Sequence, residues 1–236
     1  MNMGRLYLIP VPLGPTAVAA VLPQSVLARA QGLRHFVAEN AKSGRAFLKL
    51  LPSDLPVQQI SIQELNEHTP ASELTALLAP LLNGNDVGLI SEAGCPAVAD
   101  PGAALVALAQ REGIQVVPMV GPSSILLALM GSGLSGQSFV FHGYLPSTPG
   151  EREKRLRELE KESRRGQQTQ IFIETPYRNQ QLLESVLKTC ARETRVCIAT
   201  DLTLESEQIT TRRVGAWQRQ SLPKINRRPT VFLLQA

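Results

Sequence analysis

The sequence predicts an α/β fold in two domains, on three observations. Strand and helix patterns alternate through the first half of the chain, as in a mostly parallel sheet with helices on its faces. The pattern restarts at a Gly-Pro-Ser-Ser turn, and strands are denser beyond it, which indicates a mixed α+β sheet. The length of 236 residues accommodates two small domains. We therefore place an N-terminal α/β domain at 1–120 and a C-terminal α/β domain at 121–236.

The first domain is expected to alternate short apolar strands with helices. Its predicted strands are residues 5–9, 35–38, 57–62, 87–91 and 115–119. Its predicted helices are residues 43–51, 70–82 and 103–111. Thr69 is a suitable N-cap for the second of these helices, and Pro70 suits its first position. Gly113 is expected to end the third.

The second domain begins at a turn, residues 121–124, in which Ser123 or Ser124 could cap a helix. A proline-containing loop and a heavily charged helix follow the first predicted strand. The predicted strands are residues 138–141, 170–173, 195–200, 208–214 and 230–234, the last closing the sheet, and a further helix spans 177–189.

Composition excludes several classes of protein. The chain is 43% apolar and 19% charged, as in ordinary globular proteins. Residues 1–8 lack the apolar region and cleavage site of a signal peptide, and prolines, glycines and serines interrupt the apolar stretch 116–130. Cys95, Cys190 and Cys197 form no CxxC pair, and the three histidines are scattered. We therefore expect a cytoplasmic protein with no membrane segment and no metal.

Charge is distributed unevenly along the chain. Residues 1–136 carry 7 lysines and arginines against 9 acids, whereas residues 137–236 carry 17 against 11. The basic excess in the second half could steer a polyanion, although such an excess is also common in soluble proteins. Glutamates alternate with basic residues over 151–165, so ion pairs along a solvated helix face are the expected use of most charges there.

Three loops follow strand ends, where open α/β sheets bind ligands. They are residues 10–14, 92–102 and 121–124, all rich in Gly, Pro and Ser, which permit close approach of the backbone to a ligand. None contains a GxGxxG or GK[ST] motif, and the chain has no GxSxG motif, so dinucleotide binding, NTP hydrolysis and acyl hydrolysis are not supported. The segment SEAGCPAVADPG is either a long surface connection or a ligand site. We favour the ligand site, because it joins a buried strand to a buried helix.

Five segments then resemble those of the tetrapyrrole methylase family. LYLIPVPLG, LISEAGCPAVADPG, VGPSS, FHGYLP and FIETPYRN occur in that order over nearly the whole chain. Within the family they are most similar to the bacterial branch that methylates the 2′-hydroxyl of a cytidine in small-subunit ribosomal RNA. That branch has an S-D-A-G-T-P-x-x-S-D-P-G loop, a P-G-P-S turn, an F-x-G-F-L-P segment and an E-S-P-x-R segment.

The resemblance implies a tetrapyrrole-methylase-like fold, a homodimer, an RNA substrate and S-adenosyl-L-methionine in the cleft between the domains. Carried over position by position, it implies these cofactor-binding residues: Pro10, Val11, Pro12, Gly94, Cys95, Val98, Ser123, Ser124, Ile173, Glu174, Ala199 and Thr230. A hydroxyl acceptor requires a general base within hydrogen-bond reach, and Glu39 and Glu174 are the candidate catalytic residues.

The sequence departs from the branch pattern at two first-domain segments and in the long loop. Asn40 and Lys42 replace the aspartate and arginine of an A-E-D-T-R segment, and residues 63–68, QELNEH, replace H-E-H-N. In the loop, Glu92 replaces an aspartate and Cys95 a threonine. Three functions therefore stay open: an RNA 2′-O-methyltransferase, a methyltransferase acting on a tetrapyrrole or other small molecule, and a non-catalytic module that binds S-adenosylmethionine or RNA.

Overall fold

The computed structural model describes residues 3–51 and 56–236 and divides the chain into two compact units, Met1–Ser123 and Ser124–Ala236. We call them unit 1 and unit 2. The division lies three residues beyond the boundary expected after residue 120. The intervening turn packs with unit 1, because a Cβ atom on Gly121 would lie 2.3 Å from the Cβ of Pro10. The Cys95 thiol also donates a hydrogen bond to the Pro122 carbonyl, at 3.4 Å.

Unit 1 contains a parallel five-stranded sheet, as the sequence predicts. Its strands are β1 (Leu6–Leu8), β2 (His35–Ala38), β3 (Ser61–Glu64), β4 (Val87–Ile90) and β5 (Val116–Pro118). Their order is β3-β2-β4-β1-β5, and every pairing is parallel. All five carboxyl ends therefore lie at one edge of the sheet.

Helices cover both faces of this sheet. They are α1 (Val18–Val21), α2 (Gln24–Gly32), α3 (Ala41–Leu50), α4 (Ala71–Leu77), α5 (Ala79–Leu82) and α6 (Gly102–Arg111). The adjacent β2 residues Phe36 and Val37 belong to two different apolar clusters. Phe36 shares its cluster with Phe47 of α3, and Val37 shares its cluster with Leu105 of α6. Successive strand side chains point to opposite faces, so each cluster is the core on one side.

Three details of unit 1 differ from the sequence prediction. Residues 57–59 form a 3-10 turn, and β3 starts only at Ser61, so the predicted strand 57–62 is wrong in its first half. Thr69 does not cap α4; its hydroxyl accepts a hydrogen bond from the Asn66 N–H instead. The predicted helix 70–82 is divided at Leu78 into α4 and α5. Pro80 has no N–H to continue the helical hydrogen bonds, which explains the interruption.

Unit 2 contains a mixed five-stranded sheet, again as predicted. Its strands are β6 (Phe139–Tyr144), β7 (Thr169–Ile173), β8 (Arg195–Thr200), β9 (Gln208–Arg213) and β10 (Thr230–Gln235), in the order β6-β7-β10-β8-β9. The β6–β7 pairing is parallel and the other three are antiparallel. The last strand of the chain, β10, thus occupies the centre of the sheet, which explains its fully apolar run Val231, Phe232, Leu233 and Leu234.

The helices of unit 2 are α7 (Ser124–Ser132), α8 (Pro149–Gly166), α9 (Asn179–Thr189) and α10 (Val214–Trp217). The core includes stacked rings of Phe172 and Phe232, with centroids 5.9 Å apart. On the charged helix α8, Arg157 pairs with Glu153 and Arg155 pairs with both Glu158 and Glu162, as the alternating charges predict. No helix in the described part of the chain has the length and apolarity to cross a membrane.

Candidate active site

The three loops that the sequence singles out meet at the carboxyl edge of the unit 1 sheet. Val11 and Gly94 form an antiparallel bridge, with N···O distances of 2.9 Å and 3.1 Å. Cys95 adds the hydrogen bond to Pro122 in the third loop. The loops after β1, β4 and β5 are therefore one connected structure at the edge where parallel sheets bind ligands.

Two glycines permit this packing. Gly94 has a φ of +75°, and a Cβ atom there would lie 3.1 Å from Leu13 and 3.4 Å from the Pro122 carbonyl oxygen. Gly121 leaves room for the ring of Pro10, as described above. The sequence prediction assigned the close approach of Gly94 to a ligand. In the structure, the close contacts of both glycines are with neighbouring loops, so these glycines shape the site by joining its parts.

Asp100 holds the long loop in a strained conformation. Its carboxylate accepts hydrogen bonds from the N–H groups of Ala97, at 2.9 Å, and Gly102, at 2.7 Å. Burial raises the pKa of Asp100, and these two hydrogen bonds oppose the rise. Ala97 and Ala99 have left-handed φ angles of 64° and 59°, a strain that persists only where surrounding contacts impose it. Val98, between them, is 49% exposed, so its side chain is accessible to a ligand.

Glu39 follows β2 at the same edge and lies among other acids. Burial raises its pKa from the ordinary 4.5, and the negative charges of Glu92, Asp100 and Glu67 raise it further. The Ser43 hydroxyl donates a hydrogen bond to Glu92, which fixes the acid whose charge raises the pKa of Glu39 most. A carboxylate with a raised pKa accepts protons more readily near neutral pH, as a general base must.

The two segments that depart from the family pattern contact each other at the start of α3. Asn40 is the N-cap of this helix, and its side chain accepts a hydrogen bond from the Lys42 N–H at 2.8 Å. Glu64, in the second segment, accepts one from the Ala41 N–H, also at 2.8 Å. Asparagine and aspartate cap helices about equally well. The change at residue 40 therefore preserves the local backbone while it removes a negative charge beside Glu39.

In unit 2, three of the predicted cofactor residues lie at one end of the sheet. Val231 of β10 pairs with Ile173 of β7 on one side and with Ala199 of β8 on the other. Thr230, one residue earlier, pairs with Thr200, and their hydroxyl oxygens are 3.3 Å apart. The three predicted residues thus lie on adjacent strands. Ile173 and Ala199 are level with each other across the sheet, and Thr230 is one residue away along β10.

Glu174 continues from this end of β7 and is buried. Its Oε1 accepts hydrogen bonds from the Thr175 N–H and from Arg178, both at 2.7 Å. The Arg178 side chain is 39% exposed, whereas that of Glu174 is wholly buried. No donor among the described residues reaches Glu174 Oε2. An unpartnered buried acceptor fits a ligand that carries hydroxyl or amino donors, such as the adenosine part of S-adenosylmethionine.

The cysteines and acids offer little other chemistry. All three cysteines are free thiols. Burial raises the pKa of Cys95, and burial together with the charge of Glu160 raises that of Cys190 to about 12, so neither is a ready nucleophile. Within residues 3–51 and 56–236, no group of three or more His, Cys, Asp and Glu side chains could hold a metal ion.

The sequence matches the family model described as Tetrapyrrole (Corrin/Porphyrin) Methylases over residues 5–217. The chain belongs to the tetrapyrrole methylase family. Methyltransferases of this family use S-adenosylmethionine as the methyl donor, so the chain is an S-adenosylmethionine-dependent methyltransferase. The matched residues span both units, and they contain every predicted site residue except Thr230.

Curated relatives in the family are similar over most of the chain. The ribosomal RNA small subunit methyltransferase I of Vibrio cholerae serotype O1 is 32% identical over 204 residues, which are 86% of this chain and 67% of the relative. The protein of the same name from Escherichia coli O157:H7 is 30% identical over 226 residues, or 93% of this chain and 73% of the relative.

Solved structures show the same fold. The methyltransferase CobJ has a TM-score of 0.64 at 19% identity, and the comparison covers 98% of this chain and 94% of that one. The uroporphyrin-III-C-methyltransferase from Thermus thermophilus has a TM-score of 0.55 at 18% identity, over 100% and 93% of the two chains. At such low identity these similarities establish the architecture alone, and they confirm the two-domain tetrapyrrole-methylase-like fold expected from the sequence.

Within each unit, the structure assembles most of the residues that the sequence proposed. Unit 1 joins Pro10, Val11, Gly94 and Cys95 with the turn that contains Ser123, and leaves Pro12 half-buried beside them. Ser124 begins α7 in unit 2.

Sequence reasoning missed the role of Asp100, although Asp before Pro and Gly at a helix start is a typical signal of a side chain that bonds local N–H groups. The structure also shows an ion pair between Glu174 and Arg178, at 2.7 Å.

Proposed function

We propose that the protein transfers the methyl group of S-adenosylmethionine to a ribose 2′-hydroxyl of small-subunit ribosomal RNA. The main support is the identity of 30–32% to curated proteins whose names state small-subunit ribosomal RNA methylation, over 86–93% of this chain. The excess of 17 basic over 11 acidic residues in 137–236 is consistent with a polyanionic substrate.

We propose cofactor-binding residues in each of the two units. In unit 1, the joined loops would offer backbone groups around Val11, Gly94 and Cys95, together with the exposed side chain of Val98. Ser123 would contribute from the last turn of unit 1. In unit 2, the sheet end at Ile173, Ala199 and Thr230 would form a wall, with Ser124 contributing from the start of α7. The unpartnered Glu174 Oε2 would accept a hydrogen bond from the ligand. When bound, the sulfonium supplies an activated methyl group and a neutral leaving group.

Glu39 is the residue that we propose as the general base. Transfer of a methyl group to a hydroxyl requires that the hydroxyl proton be removed, and a carboxylate within hydrogen-bond reach can accept it. The raised pKa of Glu39 suits this role. Glu174, the other candidate, already accepts two hydrogen bonds at Oε1 and is fully buried, so the geometry favours it as a structural and cofactor-contacting residue.

We also propose that the protein acts in the cytoplasm as a homodimer, as the family resemblance implies. Light scattering of the purified protein tests the second part of this proposal. A mass of about 51 kDa, twice the 25.6 kDa of one chain, supports it, and a mass equal to one chain at assay concentrations contradicts it.

The acceptor is tested by competition between substrate classes. The purified protein is incubated with methyl-labelled S-adenosylmethionine and, separately, with small ribosomal subunits from a strain lacking the gene, protein-free ribosomal RNA and uroporphyrinogen. Label in the subunits or the RNA supports the proposal. Label in uroporphyrinogen alone shows a small-molecule methyltransferase instead. Cofactor binding without transfer to any acceptor shows a non-catalytic module.

A further inference from the structure

Two loops of unit 2 are joined beside the sheet end that carries Ile173 and Thr230. One loop, residues 174–178, follows β7, and the other, residues 224–229, precedes β10. The Arg227 N–H donates a hydrogen bond to the Pro176 carbonyl at 2.8 Å. The Asn179 side-chain amide donates one to the Arg228 carbonyl at 2.6 Å. The loops therefore hold each other in a fixed arrangement.

This arrangement presents a tyrosine ring to solvent. Tyr177 is 71% exposed, although most large aromatic side chains are covered in folded proteins. The Arg227 guanidinium lies over its ring, 5.7 Å from the centroid. Arg227 has a left-handed φ of 62°, a conformation that is uncommon for a residue with a side chain. The backbone bond to Pro176 helps to hold Arg227 in this conformation, which keeps the cation beside the ring.

The positive charge next to the ring is not neutralised. Arg178 pairs with Glu174, and Arg228 pairs with Asp201 at 2.8 Å, so these two arginines are balanced by buried or nearly buried acids. Arg227 and Lys224 are exposed, and in the described part of the chain neither forms an ion pair. The joined loops thus combine an open aromatic face with surplus positive charge.

We infer that Tyr177, Arg227 and Lys224 form a platform that binds an unpaired nucleotide of the RNA substrate. A base would stack on Tyr177, and the phosphates on either side of it would contact Arg227 and Lys224. Aromatic rings flanked by arginine and lysine are the usual means by which proteins bind unpaired nucleotides. The inference rests on the proposed function and adds to it the residues that recognise the substrate.

The position of the platform suits this role. Tyr177 lies four residues beyond Ile173, and Arg227 lies three residues before Thr230, so the platform borders the sheet end that we assign to the cofactor. A nucleotide held there would present a neighbouring ribose near the transferred methyl group. The residues of the platform lie outside the set that we propose for the cofactor, so substrate binding and cofactor binding should be separable by mutation.

The first test replaces Tyr177 in the full-length protein. Tyr177→Leu removes the aromatic face, and Tyr177→Phe keeps it. Loss of one stacked base is expected to raise the Kd for small-subunit ribosomal RNA by about 5-fold to 150-fold. The Phe variant is expected to bind within about twofold of wild type. RNA affinity is measured by fluorescence anisotropy with a labelled single-stranded fragment, and the Kd for S-adenosylmethionine by calorimetry is expected to be unchanged.

The second test removes charge without touching the ring. Arg227→Gln eliminates one phosphate contact, so the slope of log Kd against log salt concentration should fall in magnitude by about 0.7, the value for one contact to a single strand. Arg219→Gln is the matched control, because Arg219 is also exposed in unit 2 and lies outside the platform. Its slope should equal that of wild type.

Several outcomes overturn the platform. If Tyr177→Leu and Arg227→Gln bind and methylate RNA as wild type does, the inference is wrong while the proposed function stands. Equal loss of affinity in Arg219→Gln and Arg227→Gln shows a diffuse charge effect and contradicts it as well. Weakened binding to intact subunits, with unchanged binding to protein-free RNA, assigns the surface to a ribosomal protein instead. A wild-type protein that binds S-adenosylmethionine but neither binds nor methylates RNA contradicts the proposed function itself.

Discussion

Glu39 in unit 1 and Glu174 in unit 2 both follow a strand at the end of a sheet, but their surroundings have opposite charge. Glu39 is half-buried among Glu92, Asp100 and Glu67, which disfavour its ionised form. Glu174 is fully buried, and Arg178 together with the Thr175 N–H stabilises its negative charge. The same residue type in the same topological position is therefore suited to two different tasks.

The two environments suit different roles, a catalytic one for Glu39 and a structural one for Glu174. A carboxylate surrounded by negative charge gains from taking up a proton, which suits a base. A carboxylate held by a guanidinium fixes the loop that contains its partner, and removal of either group leaves the other without compensation. We therefore expect substitutions at Glu39 to reduce turnover with little loss of stability, and substitutions in the Glu174 pair to reduce stability first.

The largest effect is expected for Glu39→Gln. Loss of a general base lowers kcat by about 100-fold or more, and the Kd for S-adenosylmethionine should stay unchanged. In wild type, kcat should fall at low pH with an apparent pKa above the ordinary glutamate value of 4.5. The variant should not show this fall. Glu73→Gln, at an exposed position on α4, is the control and should retain wild-type kcat. If Glu39→Gln and Glu73→Gln have equal kcat values, Glu39 is not the general base.

The same variant should be more stable than wild type at high pH. Because folding raises the pKa of Glu39, its contribution to stability is fully present below the ordinary value and is lost as pH rises through the raised value. Glutamine remains uncharged at every pH. Thermal unfolding should therefore give a higher Tm for Glu39→Gln than for wild type near about pH 8, and equal Tm values near about pH 4. A lower Tm at the higher pH contradicts this account.

The next largest effect is expected for Arg178→Met. This change leaves the buried Glu174 carboxylate unpaired, and breaking a buried pair in this way costs about 3–5 kcal/mol. Since Arg178 is itself 39% exposed, the lower end of that range, about 3 kcal/mol, is expected in urea unfolding. Arg157→Met breaks a surface pair on α8 and should cost far less, because water screens such pairs. Similar losses in both variants show that burial of Glu174 has little energetic importance.

Gly121→Ala tests the joined loops of unit 1. The added methyl group would lie 2.3 Å from Pro10, so the backbone must shift, and such overpacking costs about 1–3 kcal/mol. The affinity for S-adenosylmethionine should fall with it if these loops bind the cofactor. Gly32→Ala, at the end of α2, adds the same methyl group where nothing lies within 4 Å and should leave both quantities unchanged or slightly improved. Unchanged cofactor affinity in Gly121→Ala contradicts the role of the loops.

The smallest effect is expected for Cys95→Thr. The threonine hydroxyl replaces the thiol as donor to the Pro122 carbonyl, and one neutral hydrogen bond contributes about 1 kcal/mol. The free energy of unfolding and the free energy of S-adenosylmethionine binding, measured by calorimetry, should therefore each differ from wild type by less than about 1 kcal/mol. A larger loss of cofactor affinity would show that the thiol itself contacts the ligand.

Much of the fold was predictable because its strands are short apolar runs between Gly and Pro turns. Strand β10 illustrates the limit: its apolar run predicts burial, but its place between β7 and β8 depends on pairings far apart in sequence. Helices α1 and α2 were not predicted at all. α1 is only four residues long with none buried, and α2 follows Pro23 without a capping side chain, so local signals for both are weak.

The candidate site was predictable where the family motifs supply it, and less so where geometry decides. The family resemblance singles out Cys95, Ile173 and Ala199, but it does not reveal that Val231 pairs with both Ile173 and Ala199. The raised pKa of Glu39 depends on its burial and then on the charges of Glu92 and Asp100, which come from a different loop. The platform at Tyr177 and Arg227 joins loops about fifty residues apart, and no local pattern indicates that contact.

The central claim is methylation of a ribose 2′-hydroxyl in small-subunit ribosomal RNA. The most direct test digests the RNA to nucleosides after incubation of wild-type protein, S-adenosylmethionine and small subunits from a strain lacking the gene, and identifies the product by mass spectrometry. The account predicts a single 2′-O-methylated nucleoside that forms much more slowly with Glu39→Gln. A methyl group on a base, or no methylated nucleoside at all, would contradict it.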